Sequence, residues 1–179
     1  MKKHILAIVG SASKESSNLK LVHYLASEMK NNFSVEIFDA LSTLPHFNPE
    51  QTDTNTPREI IDIRNAISQA DGIIICMPEY IFSVASDLKN LIEWCVLTTI
   101  FSKKPTGLIT ASAQGEKCYE ELKLIMKTVE TIFTVETTLL IQGVKGKIDS
   151  SGNIRTEELK KELSVFIKHF GELVHNSQK

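Results

Sequence analysis

Nine residues near the start of the chain, Gly10-Ser11-Ala12-Ser13-Lys14-Glu15-Ser16-Ser17-Asn18, gather four hydroxyls and one side-chain amide. A run of β-formers, His4 to Val9, precedes them, and Leu21, Val22, Leu25, Ala26 and Met29 follow at helical spacing. A bend that opens a helix carries unpaired N–H groups and the positive end of the helix dipole, so it suits an anion, and a phosphate in particular. The dipole alone favours an anion by roughly 0.3–1 kcal/mol, and up to about 2 where the site is partly buried. The plainer use of Ser16 or Ser17 is as a helix N-cap. Neither Gly-x-Gly-x-x-Gly nor Gly-x-x-x-x-Gly-Lys-Ser/Thr is present, so dinucleotide Rossmann and P-loop assignments lose their main support.

Two further segments carry unusual side chains for their position. Pro78-Glu79-Tyr80-Ile81-Phe82-Ser83 follows a continuous apolar run and places aromatic and aliphatic groups where a turn is usually polar. It could wall a flat aromatic ligand, or pack on a neighbouring loop or subunit. Ala111-Ser112-Ala113-Gln114-Gly115 is small enough for its backbone to approach a ligand closely. No catalytic cluster stands out: His4, His23, His46, His169 and His175 are scattered without metal-ligand spacing and read as surface or capping residues. Cys76, Cys95 and Cys118 are odd in number and lack Cys-x-x-Cys spacing, which predicts buried thiols rather than disulfides or a metal site.

The elements that must position these segments alternate regularly. Strands are predicted at His4–Val9, Phe33–Phe38, Ile73–Met77, Thr106–Ala111 and Val135–Ile141. Ile73-Ile74-Ile75-Cys76-Met77 has no polar alternation, the pattern of a strand buried on both faces of a parallel sheet. Thr56-Pro57-Arg58-Glu59 predicts a capping box with Thr56 as N-cap, opening a helix with an apolar face of Ile60, Ile63, Ile67 and Ala70. Further helices are predicted over Ser86–Thr98 and Glu116–Phe133, and a last one carries Leu159, Leu163, Phe166, Phe170, Leu173 and Val174. Residues 39–55 read as a long surface loop of the kind that is often functional. Five strands alternating with five helices predict an α/β protein with right-handed crossovers, a three-layer, doubly wound parallel sheet. Ligands of such sheets sit beyond the strand carboxyl ends where the strand order reverses, which is where the three loops converge.

With 179 residues and no internal repeat or linker, one domain over 1–179 is expected. Twenty Lys and Arg against 22 Asp and Glu, a formal charge of −2, leave no electrostatic footprint for nucleic acid. The longest apolar runs fall far short of a membrane span, and the opening residues do not read as a signal peptide, so a cytoplasmic protein is expected.

At the first loop the chain resembles the NAD(P)H-dependent FMN reductase family of flavodoxin-like proteins, whose pattern there is Gly-Ser-x-Arg-x-x-Ser-x-Asn. Gly10, Ser11, Ser16 and Asn18 match it. The second loop resembles Pro-Glu-Tyr-Asn-x-Ser-x-Pro-Gly-x-Leu-Lys-Asn-x-Ile-Asp-Trp, matched by Pro78, Glu79, Tyr80, Ser83, Leu88, Lys89, Asn90, Ile92 and Trp94, with Glu93 for the Asp. The resemblance implies a flavodoxin-like sheet in the order 2-1-3-4-5 and bound FMN. Ser11, Ser16, Ser17 and Asn18 would hold its phosphate, with Ser13 in the same loop. Pro78, Glu79, Tyr80, Ile81 and Phe82 would meet the ribityl chain and ring, mainly through backbone groups. Ser112, Gln114 and Gly115 would flank the ring's other side. It further implies NADPH or NADH as co-substrate, a hydride passed to FMN and then to a quinone, azo, nitro, flavin or similar small-molecule acceptor by a ping-pong scheme, and a homodimer or homotetramer built on the Leu88–Trp94 helix.

Three departures bear on that expectation. Ser13 stands where the family has Arg, removing a charge-assisted phosphate contact worth about 1.5–3 kcal/mol, roughly ten- to a hundredfold in affinity. Lys14 is the adjacent cation, a point charge rather than a fork. Ile81 and Phe82 make the flavin-facing turn bulkier and more apolar, so that Phe82 either covers the ring and selects acceptors or narrows the site. A response-regulator receiver of the same architecture would need Asp after the third strand, where Met77-Pro78 stands, and an electron-carrier flavodoxin a Thr-rich phosphate loop. The alternative retained is a flavin-binding or interaction protein of this fold with little turnover.

Overall fold

The computed structural model describes residues 2–10, 16–52 and 55–177. Its elements run β1 (Lys3–Val9), α1 (Ser17–Met29), β2 (Phe33–Phe38), α2 (Arg58–Gln69), β3 (Gly72–Met77), β4 (Glu79–Tyr80), β5 (Ser83–Val84) and α3 (Ser86–Cys95). They continue as β6 (Thr106–Ser112), α4 (Glu116–Thr128), β7 (Thr138–Gln142), α5 (Val144–Lys147) and α6 (Glu157–Asn176). Five strands form one parallel sheet in the order β2-β1-β3-β6-β7. Counted along that sheet the order is 2-1-3-4-5, and it reverses between β1 and β3. The remaining two strands form a separate antiparallel hairpin, β4–β5, inside the segment that the sequence marked as a loop.

Side-chain alternation along the central strands sorts the core into two layers. Ile5, Ala7 and Val9 face α1 and α6, where Leu21, Leu25, Phe166 and Phe170 pack on them. Leu6 and Ile8 face the opposite layer, filled by Ile60, Ile63 and Ile67 of α2, Leu88 and Trp94 of α3 and Leu122 of α4. All six residues of β3 are buried, as expected for a strand covered on both faces. Gly10 closes the approach of β1 to β3: its amide donates to Cys76 O at 2.9 Å, and a Cβ there would lie 2.7 Å from Met77 Cβ.

Several predicted boundaries shift, for reasons visible in the hydrogen bonds. Thr56 is not the N-cap of α2; Pro57 is, because the Thr56 hydroxyl donates to Gln51 O and Thr52 O in the preceding turn. The helix predicted to run to Phe133 ends at Thr128, where Glu130 at φ 61 turns the chain so that Ile132 can pair with Pro105. α3 stops at Cys95, not Thr98, and β7 starts at Thr138 rather than Val135, after a Thr134–Thr137 turn. Within the predicted loop, the described residues 39–52 carry 3₁₀ turns at Leu41–Thr43 and Pro49–Gln51. Asn90 and Trp94 pin that segment: Asn90 Nδ2 and Trp94 Nε1 both donate to Pro45 O, and Phe47 N donates to Asn90 Oδ1. These two motif residues thus spend their polar groups inside the chain, and Trp94 is buried in its core.

Candidate functional site

At the strand-order reversal the start of α1 meets the ends of β3, β6 and β7. Ser16 is the N-cap of α1, and its Oγ accepts from Leu19 N at 3.0 Å. Ser17 and Asn18, whose first-turn amides have no partner within an α-helix, line the crevice, and the first turn holds no acidic side chain to compete for them. The Asn18 side chain points inward instead. It is 4% exposed, its Nδ2 donates to Ala111 O at 3.1 Å, and its Oδ1 accepts from Cys76 Sγ at 3.3 Å. The anion-binding character of this helix start therefore comes from backbone groups, with the hydroxyls of Ser16 and Ser17 beside them.

The second wall is the β4–β5 hairpin, held on α4 by two carboxylates. Glu79 accepts from Gly115 N at 3.2 Å and from Cys118 N at 2.9 Å, so it caps α4 in place of a side chain from the N-cap residue itself. Glu121 reaches back from α4 and accepts from Ser83 Oγ at 2.7 Å and Val84 N at 2.8 Å. Gly115 is the N-cap, at φ 101, and a Cβ there would lie 2.9 Å from Leu140 Cδ1, so the bend between β6 and α4 requires glycine. Beneath the hairpin Cys118 is buried, and desolvation pushes its thiol up to about 11, with the Thr110 hydroxyl opposing and the Glu79 and Glu121 carboxylates reinforcing the shift. A thiol so raised is not a nucleophile at neutral pH.

Between these walls lies an open cleft of about 670 Å³, within the size range of small-molecule and cofactor sites. Ser16, Ser17 and Asn18 line one end, Pro78, Glu79 and Tyr80 one side, and Ala111, Ser112 and Ala113 the floor. The structure thus brings together seven of the thirteen residues to which the resemblance assigns cofactor contacts: Ser16, Ser17, Asn18, Pro78, Glu79, Tyr80 and Ser112. Gln114 and Gly115 do not reach the lining, because Gly115 is folded under the hairpin on Glu79. Ile81 and Phe82 do not either: they form the hairpin tip, 94% and 69% exposed. Ser11 and Ser13 lie outside the described residues.

One wall escaped the sequence analysis. Gly143, Val144, Lys145 and Gly146, at the carboxyl end of β7, also line the cleft. Two glycines and a lysine directly after the last strand are the available signal, but a polar, glycine-bearing stretch does not by itself distinguish a ligand wall from a surface turn. Among the described residues the cleft lining contains no histidine, and its one carboxylate, Glu79, is committed to capping α4. The arrangement is suited to holding an anion at the α1 end and a flat group beside Tyr80, leaving bond chemistry to what is bound.

Comparisons with known proteins agree with this fold. The chain is 27% identical to a 2-hydroxy-1,4-benzoquinone reductase from a Burkholderia species over 183 aligned positions, 96% of each chain. It is also 27% identical to the NADH-dependent flavin reductase subunit 2 of Lactobacillus johnsonii, over 98% of this chain and 99% of that one. In fold it is similar to FerB, a flavoenzyme NAD(P)H:(acceptor) oxidoreductase from Paracoccus denitrificans, with a TM-score of 0.86, 23% identity and 97% of each chain covered. The family model for NADPH-dependent FMN reductase matches residues 3–145, from β1 into the turn after β7, and the chain belongs to that family.

Proposed function

We propose that this chain is an FMN-dependent NAD(P)H oxidoreductase that reduces a small electron acceptor, with quinones as the class its relatives favour. The observation that carries the proposal is the cleft at the strand-order reversal, which joins the N-terminus of α1 to a half-exposed aromatic side chain, Tyr80. The residues present fit the cofactor: an anion cradle of backbone amides at one end and a wall of largely uncharged groups at the other.

In this reading the Ser17 and Asn18 amides and the Ser16 hydroxyl bind the phosphate, with Ser11 and Ser13 completing the loop. Pro78, Glu79 and Tyr80 orient the ring through their backbone, and Ser112 bounds its far side, with Gln114 and Gly115 fixing the bend behind it. FMN held there would supply the redox chemistry between NADPH or NADH and the acceptor. The protein's part is to orient and to keep one face open. Glu79 holds the hairpin to α4 and moves no proton. Ile81 and Phe82 stand at the tip, outside the cleft lining, which supports access for an acceptor and favours turnover over a purely flavin-binding role.

The same proposal extends to the whole chain as one flavodoxin-like domain that assembles as a homodimer or homotetramer. Val96 and Leu97, exposed directly after α3, support an interface near that helix. No helix among the described residues is long and apolar enough to cross a membrane, and three free, buried thiols support a reducing, cytoplasmic setting.

Absorbance tests the reading. The purified protein loaded with FMN is expected to show a visible flavin spectrum that bleaches anaerobically on adding NADPH or NADH and returns on adding a quinone. Flavin that stays oxidised with both nicotinamides would leave the low-turnover alternative standing, and failure to retain FMN at all would remove both.

A further inference from the structure

We propose that Lys145, on the turn after β7, supplies the cation for the phosphate of the bound mononucleotide, taking over the charge that Ser13 lacks. This rests on the FMN reading of the cleft. A phosphate monoester carries up to two negative charges, and backbone amides alone contribute only partial positive charge. The family pattern places an arginine in the first loop, and this chain has Ser13 there. The described lining of the cleft contains two charged side chains, Glu79 and Lys145. The Glu79 carboxylate is turned onto Gly115 N and Cys118 N, which among the described lining residues leaves Lys145 as the charge available to a ligand.

The turn that carries Lys145 is held from both ends. Gly143 enters it at φ 62 and its amide donates to Ala113 O at 3.2 Å, on the cleft floor. Val144 is buried, Ile148 pairs with Ile154 across the following loop, and Arg155 N donates to Lys147 O at 2.9 Å. Lys145 itself is exposed and forms no ion pair among the described residues. Its backbone is thus fixed beside the cleft that Ser16, Ser17 and Asn18 also line, while its flexible four-carbon stem carries a charge with no fixed partner among the described residues.

The same phosphate chemistry occurs on the ribose of NADPH, so the test separates the two sources. Apo-protein is titrated with FMN and with riboflavin, by flavin fluorescence, for wild type, Lys145→Ala, Lys145→Arg and Lys14→Ala. The expected result is that Lys145→Ala weakens FMN about five- to thirtyfold and leaves riboflavin unchanged. Lys145→Arg should retain FMN affinity, and the salt dependence of FMN binding should flatten in Lys145→Ala. Unchanged FMN affinity in Lys145→Ala overturns the proposal, as does equal weakening of riboflavin or a loss confined to Lys14→Ala. Unchanged FMN affinity together with a raised KM for NADPH but not NADH would assign the lysine to the dinucleotide instead. Wild-type protein that binds riboflavin and FMN equally, or neither, would strike at the phosphate site itself rather than at Lys145.

Discussion

The Asn18 side chain sits where α1 crosses the ends of β3 and β6, and its amide is spent on holding those three elements together. Removing it takes the side-chain amide donor from Ala111 O and the closer of two acceptors from Cys76 Sγ, leaving only the Asn18 carbonyl at 3.8 Å, both away from water. Asn18→Ala is therefore expected to lower stability by about 1–3 kcal/mol, read as a shift in denaturant midpoint at unchanged slope. Flavin affinity should change little, since the first-turn amides remain. A variant with wild-type stability and lost FMN would mean that this side chain faces the ligand after all. The spacing Gly10-Ser11…Ser16-x-Asn18 put Asn18 at the opening of this helix but could not show which way it points, because its partner Ala111 lies 93 residues on. Glu79 was legible as a motif residue and illegible as a cap for the same reason, its acceptor role depending on amides 36 and 39 positions away.

The β4–β5 hairpin, taken as an element, is built against local preference. Tyr80 pairs with Ser83, leaving a two-residue turn in which Ile81 (φ 50) and Phe82 (φ 56) both lie in the left-handed region. Two positive φ angles are the signature of a type I′ turn, which normally selects Asn-Gly. A β-branched residue there costs about 1–2 kcal/mol. Both side chains also stand in solvent, so packing offers no compensation within the chain. What keeps the turn closed is the pair of Glu121 bonds to Ser83 and Val84, with Glu79 capping α4 on the other side. Replacing Ile81-Phe82 by Asn-Gly is expected to raise stability by about 1–2 kcal/mol, measured as a higher denaturant midpoint, while altering the KM for apolar acceptors more than that for NAD(P)H. A lower midpoint would show that the two side chains pack on something, and would argue for a covering partner. The turn chemistry also explains why the hairpin escaped sequence analysis: with Ile-Phe in place of Asn-Gly, no turn signal separates the two short strands. The long parallel strands had no such difficulty, because β1 and β3 declare themselves by uninterrupted apolar runs that only a twice-covered strand can bury.

Across the whole molecule, the two apolar layers that this sheet separates each enclose cysteine: Cys76 with α1 and α6, Cys95 and Cys118 with α2, α3 and α4. Burial raises all three thiols, with Cys95 held at about 11 by desolvation against a nearby Arg64 and Cys118 also at about 11. The folded chain thus keeps thiol protons that the unfolded chain begins to release near 9. Between about 9 and 11 the unfolded state binds fewer protons, so these groups make stability fall as pH rises through that window, having contributed fully below it. The denaturant midpoint is expected to drop between pH 8 and pH 10, and to drop less in a Cys118→Ala variant; an equal drop would assign the effect to other alkaline groups such as Tyr24, which burial also raises. Because the thiols sit on both sides of the sheet, no local opening exposes them together. A disulfide reagent at pH 8 should find none of the three in the native protein and all three after unfolding. Rapid native modification of Cys118 alone would show that the hairpin lifts from α4 independently of the core, and the cleft would then be gated by that motion rather than standing open.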